Sequence, residues 1–404
     1  MGSSMWPESV NADGTMIRSI GSWQAKSKMV MGQVYLNGEV TTGSVRHRIL
    51  GGLDMGNKSY FADWGQSHAL DTVGGEFDPR NPYYGAPNNG YPNFDYSTSL
   101  ESRAVAIGGT MDQRYTGLYL QDELGFLGNK IRLTLAGRYT FVSQSAWGDP
   151  HDEAKHFTPR LGLSVSVDPQ TSVYALHDQA FIPQSGKLAN GDKVRPITGN
   201  NTEIGIKRDW FNGQWSTSLS AYRIIKKHEL AADPNSAPTS GLSIEYGKKR
   251  AQGIEFDLRG EITRGLNLVA NYAYTDSRVT EAVAGTGLTK GDLVPGFAKH
   301  TANSWLSYKL QNGMLKGSGI SAGFTYLVDR ATDDSYAETD VRLPDYFKLD
   351  GGLFWQGKNI TITGNVFNIL DKYLYSGSYY SWLNAYDWQA EAPRNYRLSI
   401  AYKF

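Results

Sequence analysis

Residues that could carry acid–base, nucleophilic or metal chemistry are sparse in this chain of 404 residues and form no recognisable catalytic pattern. Cysteine is absent, which excludes disulfides, thiolate metal sites and cysteine nucleophiles. The seven histidines lack the HxxxH and HExxH spacings of metal sites, and neither a Walker-type phosphate loop nor a GxSxG turn occurs. We therefore expect no enzyme, no resident metal and no cofactor.

Side chains suited to binding a bulky ligand are concentrated in two aromatic-rich stretches, "DPRNPYYGAPNNGYPNFDYSTS" and "LYSGSYYSWLNAYDWQAEAPR". Aromatic rings offer a large contact area at a low entropic cost, which suits a ligand of mixed polarity. The alternative is that these rings pack within their own loops or lie at a membrane interface. The candidate ligand contacts are Tyr83, Tyr84, Tyr91, Phe94, Tyr96, Tyr379, Tyr380, Trp382, Tyr386 and Trp388.

The formal charges balance, with 40 basic and 40 acidic residues. This balance argues against a nucleic-acid footprint and against a polybasic membrane anchor, so we expect no nucleic acid among the partners. Arginines in predicted loops could still attract an anionic ligand; these are Arg80, Arg330 and Arg342.

The elements that must position these residues alternate between apolar and polar side chains. In "KIRLTLAGRYTF", Ile131, Leu133 and Leu135 share one face, while Arg132 and Thr134 share the other. This period of two is typical of strands with one apolar and one polar face. The pattern recurs along most of the chain, and no stretch has a convincing helical period. The sequence predicts an all-β protein.

The connections between these strands alternate between short and long. Short ones such as "FLGNK", "DPQT", "FNGQ" and "QGKN" carry the residues that tight turns need. An early short connection is predicted near residues 24–28, on the side of the long loops. About 16 strands result, most of ten residues or more. The predicted long loops are residues 62–111, 145–155, 183–198, 227–242, 278–298, 331–343 and 373–392.

Two architectures compete for such a pattern. Soluble β-sandwiches and propellers use shorter strands and more even loops, whereas a membrane barrel needs roughly 9 to 11 residues per tilted strand and longer loops at one end. The pattern favours a transmembrane antiparallel up-and-down β-barrel whose apolar face meets lipid. Its polar face would then line a lumen that is wet or filled by polar protein, since the following cations would be prohibitive in hydrocarbon: Arg132, Arg138, Arg160, Arg397 and Lys403.

Several segments resemble one family of such barrels. The stretches "NNTEIGIKRDWFNGQWSTSLSAYRIIKKHELAADP" and "YGKKRAQGIEFDLRGEITRGLNLVANYAYTDSRVT" are similar to the barrel of TonB-dependent outer-membrane receptors, especially those for ferric siderophores. The most specific segment is "LPDYFKLDGGLFWQGKNITITGNVFNILDKYLY", which resembles the family's penultimate hairpin. The resemblance covers most of residues 110–404, and residues 15–60 match more weakly. The asparagine-rich signature of the penultimate-hairpin segment contains Asn365, Asn368, Asp371, Lys372 and Tyr373.

The resemblance implies a receptor in the outer membrane of a Gram-negative bacterium. Such a receptor binds a ferric siderophore on its extracellular loops and admits it with energy passed on by the TonB complex. Iron would be present only as cargo. The implied partners are the ferric siderophore, the TonB complex acting through a plug domain, outer-membrane lipid and the barrel-assembly machinery.

The chain departs from the family's design of a 22-stranded barrel occluded by an N-terminal plug. We find about 16 strands, no plug and no TonB box, and "MGSSMWPESVNADGT" lacks the pattern of a signal peptide. We expect residues 1–404 to be the C-terminal part of a receptor barrel, with unpaired edges on its two outer strands. The alternatives are a smaller, passive porin-like channel and a receptor for another cargo, such as cobalamin, haem or an oligosaccharide.

The last ten residues are "NYRLSIAYKF", a predicted strand in which every second residue is apolar. An aromatic last residue on such a strand resembles the signal by which outer-membrane barrels are recognised for assembly. The residues of this predicted assembly signal are Leu398, Ile400, Tyr402 and Phe404.

Overall fold

A computed structural model describes residues 2–147, 151–237, 240–286, 289–294, 296–332, 341–380 and 385–404. Their strands form one 18-stranded sheet and a separate two-stranded hairpin. Within these ranges no helix is long and apolar enough to cross a membrane.

The main sheet begins with β1 (Gly2–Val10), β2 (Met16–Thr42), β3 (Val45–Ala69), β4 (Thr110–Phe126), β5 (Ile131–Ala146), β6 (Asp152–Ser166), β7 (Thr171–Ile182), β8 (Lys187–Leu188) and β9 (Ile197–Trp210). It continues with β10 (Trp215–Ala232), β11 (Leu242–Thr263), β12 (Leu266–Glu281), β13 (Ala298–Lys309), β14 (Ser318–Ala331), β15 (Arg342–Leu343), β16 (Tyr346–Gln356), β17 (Ile360–Phe367) and β20 (Asn395–Tyr402). The separate hairpin is β18 (Tyr375–Tyr380) with β19 (Tyr386–Ala390), and the helices are α1 (Leu100–Ala106) and a 3-10 turn (Phe211–Gly213).

Each long strand pairs antiparallel with the next one in the chain. The strands β8 and β15 have only two residues each and lie in loops, which leaves the expected sixteen strands in an up-and-down order. Short turns join the strands at one end, among them residues 43–44 and 264–265, and long loops join them at the other. The predicted all-β, antiparallel architecture is confirmed.

The early connection predicted near residues 24–28 is wrong, because β2 runs through this stretch without a break. The actual turn is residues 11–15, nearer the start of the chain. Charged Lys26 and Lys28 give the stretch a loop-like composition, but both ammonium groups lie within 3.4 Å of the Glu101 carboxylate in a later loop. Backbone pairing of residues 24–28 with residues 59–63 of β3 keeps this stretch on a strand.

The helix α1 is a further difference from the sequence prediction. Its N-cap is Ser99, whose side chain accepts a hydrogen bond from the Ser102 backbone N–H. Seven residues make only two turns, too few for a helical period to stand out in the sequence.

The sheet is not closed into a barrel. Within the described ranges, β1 pairs only with β2 and β20 only with β17. Moreover, β1 covers only residues 16–23 of β2, so the rest of that strand has a bare edge with exposed Val30, Val34 and Leu36. The unpaired edges expected from the sequence are present at both ends of the sheet.

On β20 the alternating apolar side chains are exposed, as a lipid-facing stripe requires. Leu398 and Ile400 are each about 70 % exposed, and the rings of Tyr402 and Phe404 meet edge to face with centroids 5.0 Å apart. Nothing in this geometry tests an assembly signal, which stays a prediction.

The two faces of the sheet differ in chemistry, as the alternation predicts. The apolar face carries residues such as Leu135, and the polar face carries ion pairs. On the polar face Arg138 donates two hydrogen bonds, of 2.9 and 2.7 Å, to the carboxylate of Asp54 two strands away. The intervening Gly117 is required, because a Cβ there would lie 2.0 Å from the guanidinium. The predicted placement of cations such as Arg160, which pairs with Asp178, on this face is confirmed.

Candidate ligand-binding site at the loop end of the sheet

The first long loop, residues 70–109, is fastened to strands β2 and β3 where they extend beyond β4. Arg103 on α1 donates to the Asp63 carboxylate at 2.7 Å, and their side chains are only 9 % and 3 % exposed. The same guanidinium donates to the Thr98 carbonyl and to the Gln24 side chain. Gln24 and Lys26 lie on the same face of β2 as the apolar residues Val30, Val34 and Leu36, so this loop packs on the apolar side of the extension.

A second ion pair fastens the start of the same loop. The guanidinium of Arg18 donates to both oxygens of Asp71 at 2.8 and 2.9 Å, and it stacks 3.7 Å above the ring of Phe77. The hydrogen bonds from Arg18 lower the pKa of Asp71 below its usual range. Hydrogen bonds from Lys26 and Lys28 likewise lower the pKa of Glu101, to about 2.

The aromatic residues predicted in this loop divide into two groups. Tyr83, Tyr84 and Tyr91 are between 70 and 90 % exposed. Phe94 and Tyr96 contact each other edge to face, and the Tyr96 hydroxyl donates to the Ser22 hydroxyl at 3.3 Å. The first three are therefore free to meet a ligand, whereas the last two help to dock the loop.

The last long loop, residues 368–394, contains the hairpin β18–β19. Tyr380 and Tyr386 pair across it with ring centroids 5.1 Å apart, and Tyr375 pairs with Trp388 at 5.2 Å. On the opposite side of the hairpin, the Asp387 carboxylate raises the pKa of the Tyr379 hydroxyl. The predicted contact Trp382 lies outside the described residues. These rings form a compact aromatic hairpin.

Arg330 holds the base of this hairpin. Its guanidinium is buried and donates to the carbonyls of Tyr375 and Ser376, each at 2.8 Å. Arg330 therefore has a structural role, and its attraction of an anionic ligand stays a prediction. Arg342 and Arg80 lie nearer the surface, and they pair with Asp329 and Asp78.

The asparagine-rich segment closes the same loop. Asn368 is 1 % exposed; its amide donates to the Lys372 carbonyl at 2.9 Å and accepts from the Lys372 N–H at 3.1 Å. Asp371 accepts from the backbone N–H of Arg394 at 2.9 Å. These residues therefore have a structural role, joining the two ends of the loop.

Sequence reasoning missed a cluster of four rings, which we call the tryptophan platform. Trp64 lies 5.7 Å from Trp23 and 5.0 Å from Trp147, and Tyr60 lies 6.4 Å from Trp147. The three tryptophans are between 39 and 49 % exposed. Tyr60 alternates in phase with Asp54, which places the platform on the polar face, opposite the docked first loop.

The tryptophan platform could not be predicted from any single stretch of sequence, because its members come from β2, β3 and the residue that follows β5. The available signal was weaker: each tryptophan stands close to the loop end of a strand. Within the described residues, no group of three or more His, Asp and Glu side chains could hold a metal ion. The arrangement suits non-covalent binding of a ligand with both apolar and polar parts.

The chain matches the family model described as "TonB dependent receptor-like, beta-barrel" over residues 9–369. It is 27 % identical to the metal-pseudopaline receptor CntO of Pseudomonas aeruginosa, covering 92 % of this chain and 51 % of that protein. It is also 27 % identical to the ferrioxamine B receptor of Salmonella typhimurium, covering 83 % and 45 %. The ferrichrome outer membrane transporter/phage receptor of Escherichia coli is again 27 % identical, over 75 % and 38 %. The chain thus spans about half the length of the first two relatives, and less of the third.

Solved structures show the same fold. The ferric preacinetobactin receptor BauA of Acinetobacter baumannii superposes with a TM-score of 0.71 at 20 % identity, covering 97 % of this chain and 56 % of that one. The ferripyoverdine receptor of Pseudomonas aeruginosa bound to ferripyoverdine gives a TM-score of 0.74 at 18 % identity, covering 100 % and 52 %. These proteins are named as receptors or transporters, which agrees with the expectation that the chain is not an enzyme.

Proposed function

This chain belongs to the TonB-dependent receptor-like β-barrel family of the outer membrane. We propose that it forms part of the barrel wall of a receptor for a ferric siderophore. The observation that carries the proposal is the family match over residues 9–369, together with relatives named as receptors for ferrioxamine B and ferrichrome. Iron would be the cargo of this receptor and not its cofactor.

We assign ligand contact first to the tryptophan platform. Trp23, Trp64 and Trp147 are half-exposed on the polar face, which would line the transport path, and they stand at its loop end. Flat, rigid rings bind the organic part of a chelate at a small entropic cost. The aromatic hairpin and the exposed tyrosines of the first loop are further candidates.

The whole protein would draw the energy for transport from the TonB complex, because a barrel wall has no energy source of its own. A plug domain that transmits this energy and the barrel-assembly machinery are further proposed partners. That residues 1–404 are a partial barrel without a plug also stays a prediction.

Calorimetric titration of the detergent-solubilised protein with ferrioxamine B, ferrichrome and ferric pyoverdine tests the proposal. We expect saturable binding of at least one ferric chelate, and Trp64→Ala should weaken it by roughly 30-fold, the loss of about 2 kcal/mol typical of a central aromatic contact. Trp355→Ala is the matched control, since this equally exposed tryptophan lies at the short-turn end of the sheet. A correctly folded protein that binds none of these chelates would refute the proposal.

A second cargo has specific support, because one relative is named as a metal-pseudopaline receptor. The same titrations with other metal chelates would distinguish it: tight binding of one of these, without binding of any ferric chelate, favours this cargo. A passive channel is distinguished by transport, since its flux would rise linearly with solute concentration and would not saturate.

A further inference from the structure

A histidine and an aspartate lie on the apolar face of the sheet, among side chains that meet lipid in a membrane barrel. His47 on β3 lies opposite Leu124 on β4, and Asp122 on β4 lies opposite Leu135 on β5. Residues directly opposite on neighbouring strands point to the same side of a sheet, so both polar side chains share the face of these leucines. We call His47 and Asp122 the intramembrane pair.

The intramembrane pair lies inside the apolar stripe and not at its margin. On β4 the alternating positions of this face are Leu118, Leu120, Asp122, Leu124 and Phe126. Two apolar residues therefore separate the carboxylate from each end of the stripe. Lipid headgroups lie beyond the apolar band of a barrel, so they are poor partners for this carboxylate.

The pair leaves one carboxylate oxygen unsatisfied. His47 Nδ1 lies 2.8 Å from Asp122 Oδ2. The other oxygen, Oδ1, is buried and has no hydrogen-bond partner in the described part of the chain. Ionisable side chains that face hydrocarbon are rare and costly, and a buried acceptor without a donor adds to that cost. A donor from another molecule would remove the second cost.

The charged residues on the other face of the same strands have more partners. Arg48, the neighbour of His47 in β3, lies on the polar face 3.2 Å from Glu123 and 3.8 Å from Glu39. Arg46 also pairs with Glu39. The unsatisfied oxygen thus belongs to the side that faces the membrane, and its missing donor would come from a molecule on that side.

The intramembrane pair is chemically self-complementary. Its hydrogen bond uses Nδ1 of His47 and leaves Nε2 without a partner among the described residues. An imidazolium donates from both nitrogens, so the ion pair has a free donor, Nε2–H, beside a free acceptor, Oδ1. Across a twofold axis a surface meets an identical one, so the donor of each copy would face the acceptor of the other.

The surface around the pair allows close approach. Gly38 and Gly51 lie on the same face, and nothing is within 4 Å of the position that a Cβ of Gly38 would take. Leu36, Leu118 and Leu120 are between 53 and 80 % exposed. Small residues beside apolar ones let two backbones come close together at a contact within a membrane.

We propose that the intramembrane pair forms the centre of a contact between two copies of the receptor barrel, side by side in the membrane. His47 of each copy donates from Nε2 to Asp122 Oδ1 of the other copy, and the neighbouring leucines pack around the twofold axis. The self-complementary chemistry and the position within the apolar stripe both point to a second copy. The inference goes beyond the proposed function and does not depend on which cargo the receptor carries.

Disulfide mapping tests this contact, because the chain has no cysteine of its own. Ile49 lies opposite Asp122 and beside the proposed axis. The variant Ile49→Cys of the whole chain, folded into lipid vesicles, should form disulfide-linked dimers under mild oxidation. Leu219→Cys is the matched control, since Leu219 is similarly exposed on the apolar face of β10 and should stay monomeric. Equally low cross-linking of both variants would overturn the proposal.

The double variant His47→Leu, Asp122→Leu tests the polar contact itself. In the Ile49→Cys chain it should lower the association constant, measured by dilution with lipid, roughly 30-fold, because two symmetric hydrogen bonds within the membrane are lost. Unheated gel electrophoresis checks that the variant stays compact. Dimers that persist undiminished would arise from bare strand edges or apolar contact alone and would refute the proposal.

Two further measurements keep the result clear. If the double variant does not fold, Asp122→Asn, which keeps the size of the side chain, should still lower the association constant, and unchanged dimerisation would refute the contact. Native mass spectrometry distinguishes the occupant. A monomer that retains a phospholipid, which is lost from Asp122→Asn, would assign Oδ1 to a lipid headgroup and contradict a second copy.

Discussion

The first and last long loops are both rich in aromatic residues, but they are held to the sheet in different ways. Residues 70–109 depend on side-chain ion pairs, chiefly Arg103 with Asp63 and Arg18 with Asp71. Residues 368–394 depend chiefly on buried side chains that bond to backbone carbonyls, as Arg330 and Asn368 do, together with the ion pair of Glu391 with Lys348.

The difference concerns which substitutions each loop tolerates. An ion pair needs two particular side chains, and the loss of either leaves a buried charge without its partner. A backbone carbonyl is present whatever the residue, so the last loop can vary in sequence while its anchors stay in place. We therefore expect the last loop to accept changes at its tip more readily than the first loop accepts changes at its base.

The largest effect is expected at the anchor of the first loop. Arg103→Ala leaves the Asp63 carboxylate buried and unpaired, which should lower the local free energy of opening by about 3 to 5 kcal/mol. Hydrogen exchange of the amides in residues 94–107 measures this change. The double variant Asp63→Asn, Arg103→Met should recover much of the loss, and Arg80→Ala, in an exposed pair of the same loop, should change little.

The last loop should respond to loss of its own anchor. Arg330→Met leaves the carbonyls of Tyr375 and Ser376 without their donor, at a cost of about 2 to 3 kcal/mol in local stability. Faster hydrogen exchange should be confined to β18 and β19, and Arg342→Met serves as a more exposed control. Equal loosening of residues 70–109 would contradict the view that the loops are anchored independently.

Acid should destabilise the first loop before it destabilises the last loop. The pKa of Glu101 is lowered to about 2, and that of Asp71 is also lowered. At a pH above their ordinary pKa values, both ionised carboxylates therefore stabilise the docked first loop. This stabilisation should be lost as the pH falls from about 4.5 towards 2. The bonds from Arg330 to carbonyls do not titrate in this window. Proteolysis by an acid-stable protease should therefore cut residues 70–109 first, and simultaneous cutting of both loops would argue against this difference.

The smallest effect is expected from a single ring pair of the aromatic hairpin. Tyr380→Leu removes the edge-to-face contact with Tyr386 but keeps an apolar side chain, so local stability should fall by about 1 kcal/mol. Hydrogen exchange of β18 measures it, with Tyr84→Leu as a control because the Tyr84 ring is 90 % exposed. A loss as large as that caused by Arg330→Met would show that the rings, and not the buried arginine, hold the hairpin.

The sequence alone determined the all-β architecture, the order of the strands and the end at which the long loops lie. These properties follow from a period of two and from turn residues, which are local signals that tertiary contacts do not reverse. The loop clusters of tyrosine and tryptophan were also evident, because their members are close neighbours in the chain. The local signals failed once, at residues 24–28, where a connection was predicted but β2 continues without a break.

Tertiary structure decided what each loop residue does. The burial of Arg330 depends on carbonyls more than 40 residues away, and the meeting of Trp23, Trp64 and Trp147 depends on the register of separate strands. Such contacts are fixed by pairing over long distances in sequence, and the alternation of single strands contains no information about them.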